Sequence, residues 1–277
     1  MIYTSKFCSD AWKSSTADLD DQERIQLNLK WLDYWNHLAK KLNKKTEFSD
    51  DFSKSIISYL KHEGVLKKSS RILDIGAGDG KYTQAFATEC SKVTALDMSS
   101  EMLLVLKNRI SHHGQSNIKT VCDTWDQFHS SEDYDVVFSS LCPAIHDEKS
   151  LAKMEGYSQD YCVLLTVARN SHSQIRQDLH RILTDQPLVG LSPDVIYILN
   201  LLYANEKYPN VKFYKIRTEP EMTIEEAFET YSIYYGIFGF NNTASLDKIY
   251  HYLKNFSQND ICRDHVEMNL ALVYWQK

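Results

Sequence analysis

The stretch RILDIGAGDGKYTQAF, residues 71–86, sets three glycines, Gly76, Gly78 and Gly80, at alternate positions straight after a short apolar run. The run 71–78 is β-rich, and KYTQAFATEC (81–90) has helical spacing. A glycine-rich turn that leaves a strand and enters a helix lets backbone approach a ligand with no side chain in the way. The helix start adds N–H donors and the positive end of its dipole. The turn reads as a ligand cradle, and its spacing narrows the ligand.

A phosphate-binding GxxxxGK[ST] loop does not fit. Its first position falls on Ile75, and Tyr82 stands where Ser or Thr is needed. A dinucleotide turn, GxGxxG, does not fit either, because the third glycine arrives one residue early at Gly80 and Lys81 takes its place. What stands is GxGxG preceded by an acid, LDIGAGDG.

Outward from this turn, strand-like and helix-like segments alternate. KVTALD (92–97) is an apolar strand, and SSEMLLVLKNRISHHG (99–114) is an amphipathic helix stopped by Gly114. IKTVCD (118–123), YDVVFSSL (134–141) and YCVLLTVA (161–168) are three more strands, with a helix in HDEKSLAKMEGYS between the last two. This rhythm predicts parallel βαβ units in a sheet covered on both faces. Residues 170–208 offer two helices, VKFYKIR (211–217) a strand, and MNLALVYWQK (268–277) a last strand. Thr223 and Glu226 form a capping-box pattern that opens the helix EEAFETYSIYYGIFG. The first 65 residues read as a helical cap, with Trp31, Tyr34, Trp35 and Leu38 on one helix face. The domain proper is expected at 66–277, with helical insertions at about 170–208 and 222–257.

Composition limits the function. The 277 residues are 43% hydrophobic, enough for one large domain, and no apolar run approaches the ~20 residues of a membrane span. The start, MIYTSKFCSDAWKSS, lacks a secretory pattern, so the chain is expected in the cytoplasm and the sequons at Asn241 and Asn255 read as chance. Cys8, Cys90, Cys122, Cys142, Cys162 and Cys262 show no metal spacing and read as reduced, mostly buried residues. A net charge of −6 speaks against a broad nucleic-acid surface, and the run KKLNKK (40–45) reads as a wet helix face.

LDIGAGDG resembles motif I of the class I, Rossmann-like S-adenosylmethionine-dependent methyltransferases. VTALDMSSEML resembles the second strand of that family, VCDTWDQF the end of the third and YDVVFSSL the fourth. The resemblance covers roughly 35–165, and beyond that only the architecture. It implies an α/β fold: a doubly wound, mostly parallel seven-stranded sheet with an antiparallel last strand. It implies S-adenosylmethionine as methyl donor and S-adenosylhomocysteine as product. It puts the cofactor on Asp74, Gly76, Ala77, Gly78 and Gly80, on Asp97 and Met98, on Asp123, Thr124 and Trp125, and on Ser139.

The residue chemistry agrees. Asp97, about twenty positions past Gly76 at the end of the adjacent strand, can accept both ribose hydroxyls. Asp74 can face the cofactor's ammonium across the turn, Asp123 can accept the adenine amino group, and Trp125 offers a flat face beside it. The alternatives are that Asp123 caps a turn and that Trp125 is simple surface packing.

The acceptor side is thinner. The fourth strand's end, SSLCPAIHD, should point at the transferred methyl group. It carries Leu141-Cys142-Pro143-Ala144 in place of the Asn/Asp-Pro-Pro-aromatic motif of amino-methylating enzymes on DNA. His146 is the candidate proton acceptor; alternatively, 143–147 is a turn with Asp147 as helix cap. The aromatic helix with Phe228, Tyr231, Tyr234, Tyr235 and Phe238 is either the wall of a small-molecule pocket or a homodimer interface. The expected partner is a small-molecule acceptor, with neither DNA nor membrane involved.

Overall fold

The computed structural model of the chain describes residues 4–15, 21–42, 51–169, 171–188 and 194–277. Lys44 and Lys45 of the basic run, and residues 170 and 189–193 of the first expected insertion, lie outside the described residues. Three helices come first: α1 (Ser5–Ser15), α2 (Asp21–Leu42) and α3 (Asp51–His62). The alternating part follows as β1 (Arg71–Ile75), α4 (Lys81–Glu89), β2 (Lys92–Asp97), α5 (Ser100–His113) and β3 (Ile118–Cys122). It continues as β4 (Tyr134–Ser140), α6 (Glu148–Tyr157) and β5 (Ser158–Val167). The remainder is β6 (His172–Ser173), α7 (Gln174–Thr184), α8 (Val195–Ala204), β7 (Asn210–Thr218), β8 (Glu221–Thr223), α9 (Ile224–Gly236), α10 (Thr243–Phe256), β9 (Ile261–Arg263) and β10 (Val266–Gln276).

The main sheet runs β3-β2-β1-β4-β5-β10-β7, parallel from β3 to β5, with β10 antiparallel to both its neighbours. This is the doubly wound order, in which the chain reverses its direction of growth between β1 and β4. The two-residue β6 makes an eighth strand by pairing with Val266 and Glu267 at the start of β10, continuing the line of β5. Strand order puts the carboxyl ends of β1, β2, β3 and β4 on one edge, where a ligand can settle in the crevice.

Side-chain alternation divides the core into two layers. Leu73, Val137, Leu164 and Val273 face one side, against α6, α8 and α1 through Met154, Leu201 and Trp12. Their neighbours Ile72, Val136, Val163 and Leu272 face the other, against α3 and α4 through Ile56, Leu60 and Phe86. The first three helices therefore do not act as one cap. α1 packs on α8, α3 completes a sheet layer, and only α2 runs over the edge that carries the glycine turn. A third cluster, Ile175, Leu179, Tyr231, Tyr235, Ile249 and Leu253, binds α7, α9 and α10 into a helical block beside that edge.

Candidate active site

The three glycines of the turn have left-handed backbone, at φ +72°, +55° and +86°. Each is required for a different reason. A Cβ on Gly76 would lie 2.4 Å from the Cys142 sulfur, so this glycine admits the loop after β4. A Cβ on Gly80 would lie 2.1 Å from Leu106 Cδ1, so this one admits α5. Gly78 has no protein atom within 4 Å of that position. Of the three, only the middle glycine has open space where a Cβ would stand.

Asp97 closes the other side of this space. Its Oδ2 accepts the Gly78 N–H at 2.8 Å and its Oδ1 accepts the Ser99 N–H at 2.8 Å. Burial raises its pKa, the two N–H bonds work against that, and Asp79 raises it further. A carboxylate oxygen has two lone-pair sites, so each can still accept a hydroxyl. Gly76 and Ala77 both donate to the Leu96 carbonyl, at 2.8 and 3.0 Å, which ties the turn to the end of β2. Asp79 is paired with Arg109 at 2.7 Å, an ion pair almost wholly out of water.

Asp74 lies beneath the turn rather than across it. It is 2% exposed, and its Oδ2 accepts the Thr83 hydroxyl at 2.6 Å. Burial pushes its pKa up to about 7, against the Thr83 bond, with Asp97 adding to the rise. Asp123 and Thr124 stand half-buried at the end of β3; the Asp123 N–H donates to the Asp97 carbonyl at 3.1 Å, and its carboxylate accepts the Thr124 N–H at 2.8 Å. Met98 is half-buried on the same rim.

Two expectations change. Trp125 is 4% exposed, donates its ring N–H to the Ser150 carbonyl at 3.2 Å and stacks on Phe128 with ring centroids 6.0 Å apart. Its indole is core packing between β3 and α6, not an open adenine platform. Ser139 is 1% exposed and donates to the Ile75 carbonyl at 3.1 Å, so its hydroxyl hydrogen joins β4 to β1.

Beyond β4, Leu141 has left-handed backbone at φ 50° and an exposed side chain. Burial pushes the neighbouring Cys142 thiol up to about 12, which favours the protonated thiol over the thiolate. Asp147 caps α6 in a full capping box with Ser150. Burial alone would raise the Asp147 pKa, but bonds from Ser150 and the charges of His146 and Arg24 leave it lowered. His146 is half-buried, with Nδ1 3.1 Å from the Ala144 carbonyl and Nε2 3.8 Å from Asp147.

Above the edge lies α2. Asn36 accepts the Ser99 hydroxyl at 2.7 Å, next to Asp97, and Trp35 packs with Ala39, Met102 and Val105 against α5. One turn earlier, Trp31 and Tyr34 meet Tyr234 at centroid distances of 6.3 and 6.1 Å. His37 and Lys41 pair with Glu229 at 2.8 and 3.0 Å. α2 is thus a strap from α5 to α9. Tyr231, Tyr234 and Tyr235 are buried within this one chain, where Tyr234, Tyr235, Phe238, Phe240, His180 and Leu188 line a cavity of about 90 Å³. The aromatic stripe of α2 was visible in the sequence; Asn36, Thr83 and Arg109 were missed because their partners are distant in the chain.

Among the described residues no cluster of His, Cys, Asp and Glu is placed to hold a metal, and no helix is long and apolar enough to cross a membrane. Residues 72–156 match a family described as a methyltransferase domain. An uncharacterized methyltransferase of Schizosaccharomyces pombe is 28% identical over 114 residues, 41% of this chain and 40% of that protein. The chain thus matches less than half the length of this curated relative. Among solved structures, magnesium protoporphyrin IX methyltransferase from Synechocystis, with bound S-adenosylhomocysteine, superposes with a TM-score of 0.55 at 13% identity. That match covers 90% of this chain and 99% of the other. The YcgJ protein of Bacillus subtilis gives 0.51 at 14% identity, covering 80% and 97%. Residues 72–156 are thus similar to a methyltransferase domain, and the chain shares the fold of the solved methyltransferase on which it superposes.

Proposed function

We propose that this protein transfers the methyl group of S-adenosylmethionine to a small-molecule acceptor. The observation that carries the reading is the open space at Gly78, bounded by Asp97 and roofed by α2. S-adenosylmethionine supplies an electrophilic methyl group on a sulfonium. Asp97 would hold its ribose hydroxyls, and the turn 76–80 would pass beneath its amino-acid part. Asp123, Thr124 and Met98 would frame its base. Methyl transfer is an in-line displacement, so the chain's main contribution is alignment and exclusion of water. The loop Leu141–Asp147 and the α2–α9 roof would line the acceptor's place beside the methyl group.

A carbonyl only accepts, so the Nδ1 of His146 bonded to the Ala144 carbonyl carries hydrogen, and in the neutral ring Nε2 is then the nitrogen with a lone pair. That nitrogen can take a proton from a hydroxyl, thiol or ammonium acceptor, and Asp147 would steady the resulting charge. The roofed edge favours a small acceptor over a macromolecule, as does the net charge of −6 over RNA.

The test is incubation with labelled S-adenosylmethionine and fractionated cell extract. Label is expected in the low-molecular-weight fraction, with release of S-adenosylhomocysteine. Label mainly in protein or RNA would overturn the acceptor class, and cofactor binding with no turnover on any fraction would make the protein a binding regulator.

A further inference from the structure

We infer that the acceptor is an anion, a small molecule carrying a carboxylate or phosphate that Arg176 grips at the roof of the site. This inference rests on the methyltransferase reading. Arg176 stands in the first turn of α7, three residues past the helix cap Ser173. Ser173 pairs with Val266 at the start of β10, and β10 is antiparallel to β5. The residue is therefore one helical turn above the edge of the sheet that carries Gly78, Asp97 and the loop after β4.

Its surroundings are those of a guanidinium kept for a ligand. Arg176 is exposed and stacks on Tyr234 at 4.7 Å, with Tyr34, Tyr231 and Tyr235 also within its electrostatic reach. Among the described residues it has no carboxylate partner. The nearby acids are committed elsewhere. Asp264 accepts from Ser173 at 2.6 Å and from the Ile175 N–H at 3.1 Å, Asp178 from Tyr252 at 2.8 Å, and Glu229 pairs with His37 and Lys41. Tyr234, 4% exposed, has a buried hydroxyl with no hydrogen-bond partner.

The buried, partnerless hydroxyl of Tyr234 is a polar deficit, and the exposed guanidinium over its ring, held by no carboxylate, can take an acceptor-only group in place of water. The planar guanidinium offers a fork that matches a carboxylate or a phosphate, and the ring beneath it fixes the plane of that fork. The rings of Tyr34 and Trp31 give the rest of such a molecule an apolar wall.

The experiment is calorimetry on the full chain saturated with S-adenosylhomocysteine, with benzoate, phenyl phosphate and the neutral benzamide as probes. Wild type should bind one of the two anions at least tenfold more tightly than benzamide, and which anion wins separates carboxylate from phosphate. Arg176→Met should weaken that anion about tenfold or more and leave benzamide unchanged. Arg176→Lys should recover only part, since a point charge lacks the fork. S-adenosylhomocysteine affinity should be the same in all three proteins; its absence in wild type would condemn the methyltransferase reading itself. Equal binding of anion and benzamide by wild type, no anion binding at all, or unchanged anion binding in Arg176→Met overturns the inference.

Discussion

The backbone N–H of Gly78 donates to the carboxylate of Asp97 at 2.8 Å, which locks the middle of the glycine turn to the end of the neighbouring strand. The residue proposed to leave room for the cofactor and the residue proposed to hold its ribose are one hydrogen-bonded unit. Substitutions at the turn should therefore separate by which neighbour each glycine faces.

Gly76→Ala should destabilise the fold, because its Cβ would meet the Cys142 sulfur and Cβ at 2.4 and 2.7 Å. A loss of about 1–3 kcal/mol is expected from overpacking on top of the left-handed backbone. Gly78→Ala should cost only about 1 kcal/mol, the backbone penalty alone, since nothing stands in its way. Thermal unfolding of the two variants gives the order, and equal melting temperatures would mean that the turn has another conformation.

Asp74 should make stability and cofactor binding pH-dependent. Its carboxyl titrates near 7 in the folded chain against 3.8 for the free side chain. Between these values the folded state holds a proton that the unfolded state has released, so stability falls as pH rises through the window. The slope from this group is at most ~1.4 kcal/mol per pH unit. Asp74→Asn should flatten the curve in that range, and denaturant titrations at pH 5 and 8 measure it. A cation bound nearby favours the ionised form, so affinity for S-adenosylmethionine should rise with pH in wild type and not in the variant.

The Asp79–Arg109 pair should be worth more as a constraint than as an ion pair. Each side chain is about a tenth exposed. Arg109→Met leaves a buried carboxylate uncompensated and should cost about 3–5 kcal/mol. The double variant Asp79→Asn, Arg109→Met should recover a good part of that. Urea unfolding of the single and double variants decides, and a single variant as stable as wild type would show the pair to be idle.

His146 and Asp147 should separate although adjacent. Asp147→Ala removes a helix cap and should lower stability by about 1 kcal/mol with little effect on cofactor affinity. His146→Ala should leave the fold and cofactor affinity intact and lower turnover, by ~10²–10⁴-fold if the imidazole takes the proton. Melting curves beside single-turnover rates read both effects; a His146→Ala protein that turns over normally removes the base from the account.

The sequence carried most of the fold because the strands that cross the core are nearly continuous apolar runs: β2, β3, β4, β7 and β10 lie within two residues of where their patterns predict, and β1 stops three residues short of its run, at Ile75, where the glycine turn begins. β5 begins earlier than its apolar run, at Ser158, because Gln159 and Asp160 hide the start of a strand that pairs with Tyr134. β6, β8 and β9 are two or three residues long and are defined by distant partners such as Val266 and Arg263. The site divides in the same way. The glycine spacing and Asp97 are local signals and were legible. The depth of Asp74, the burial of Trp125 by Phe128 and Tyr157, and the strap of Asn36 onto Ser99 depend on packing between separate segments, which no local pattern encodes.

Binding of S-adenosylhomocysteine, followed by calorimetry in wild type, Asp97→Ala and Gly78→Val, tests the central claim most directly. Wild type should bind it at micromolar concentration and show no signal with NAD or ATP. Asp97→Ala should lose on the order of 1–3 kcal/mol of binding free energy, the cost of unsatisfied polar partners. Gly78→Val should lose more, since its branched Cβ fills the space that is otherwise clear to 4 Å. NAD binding without a response to S-adenosylhomocysteine, or unchanged affinity in both variants, would contradict the account.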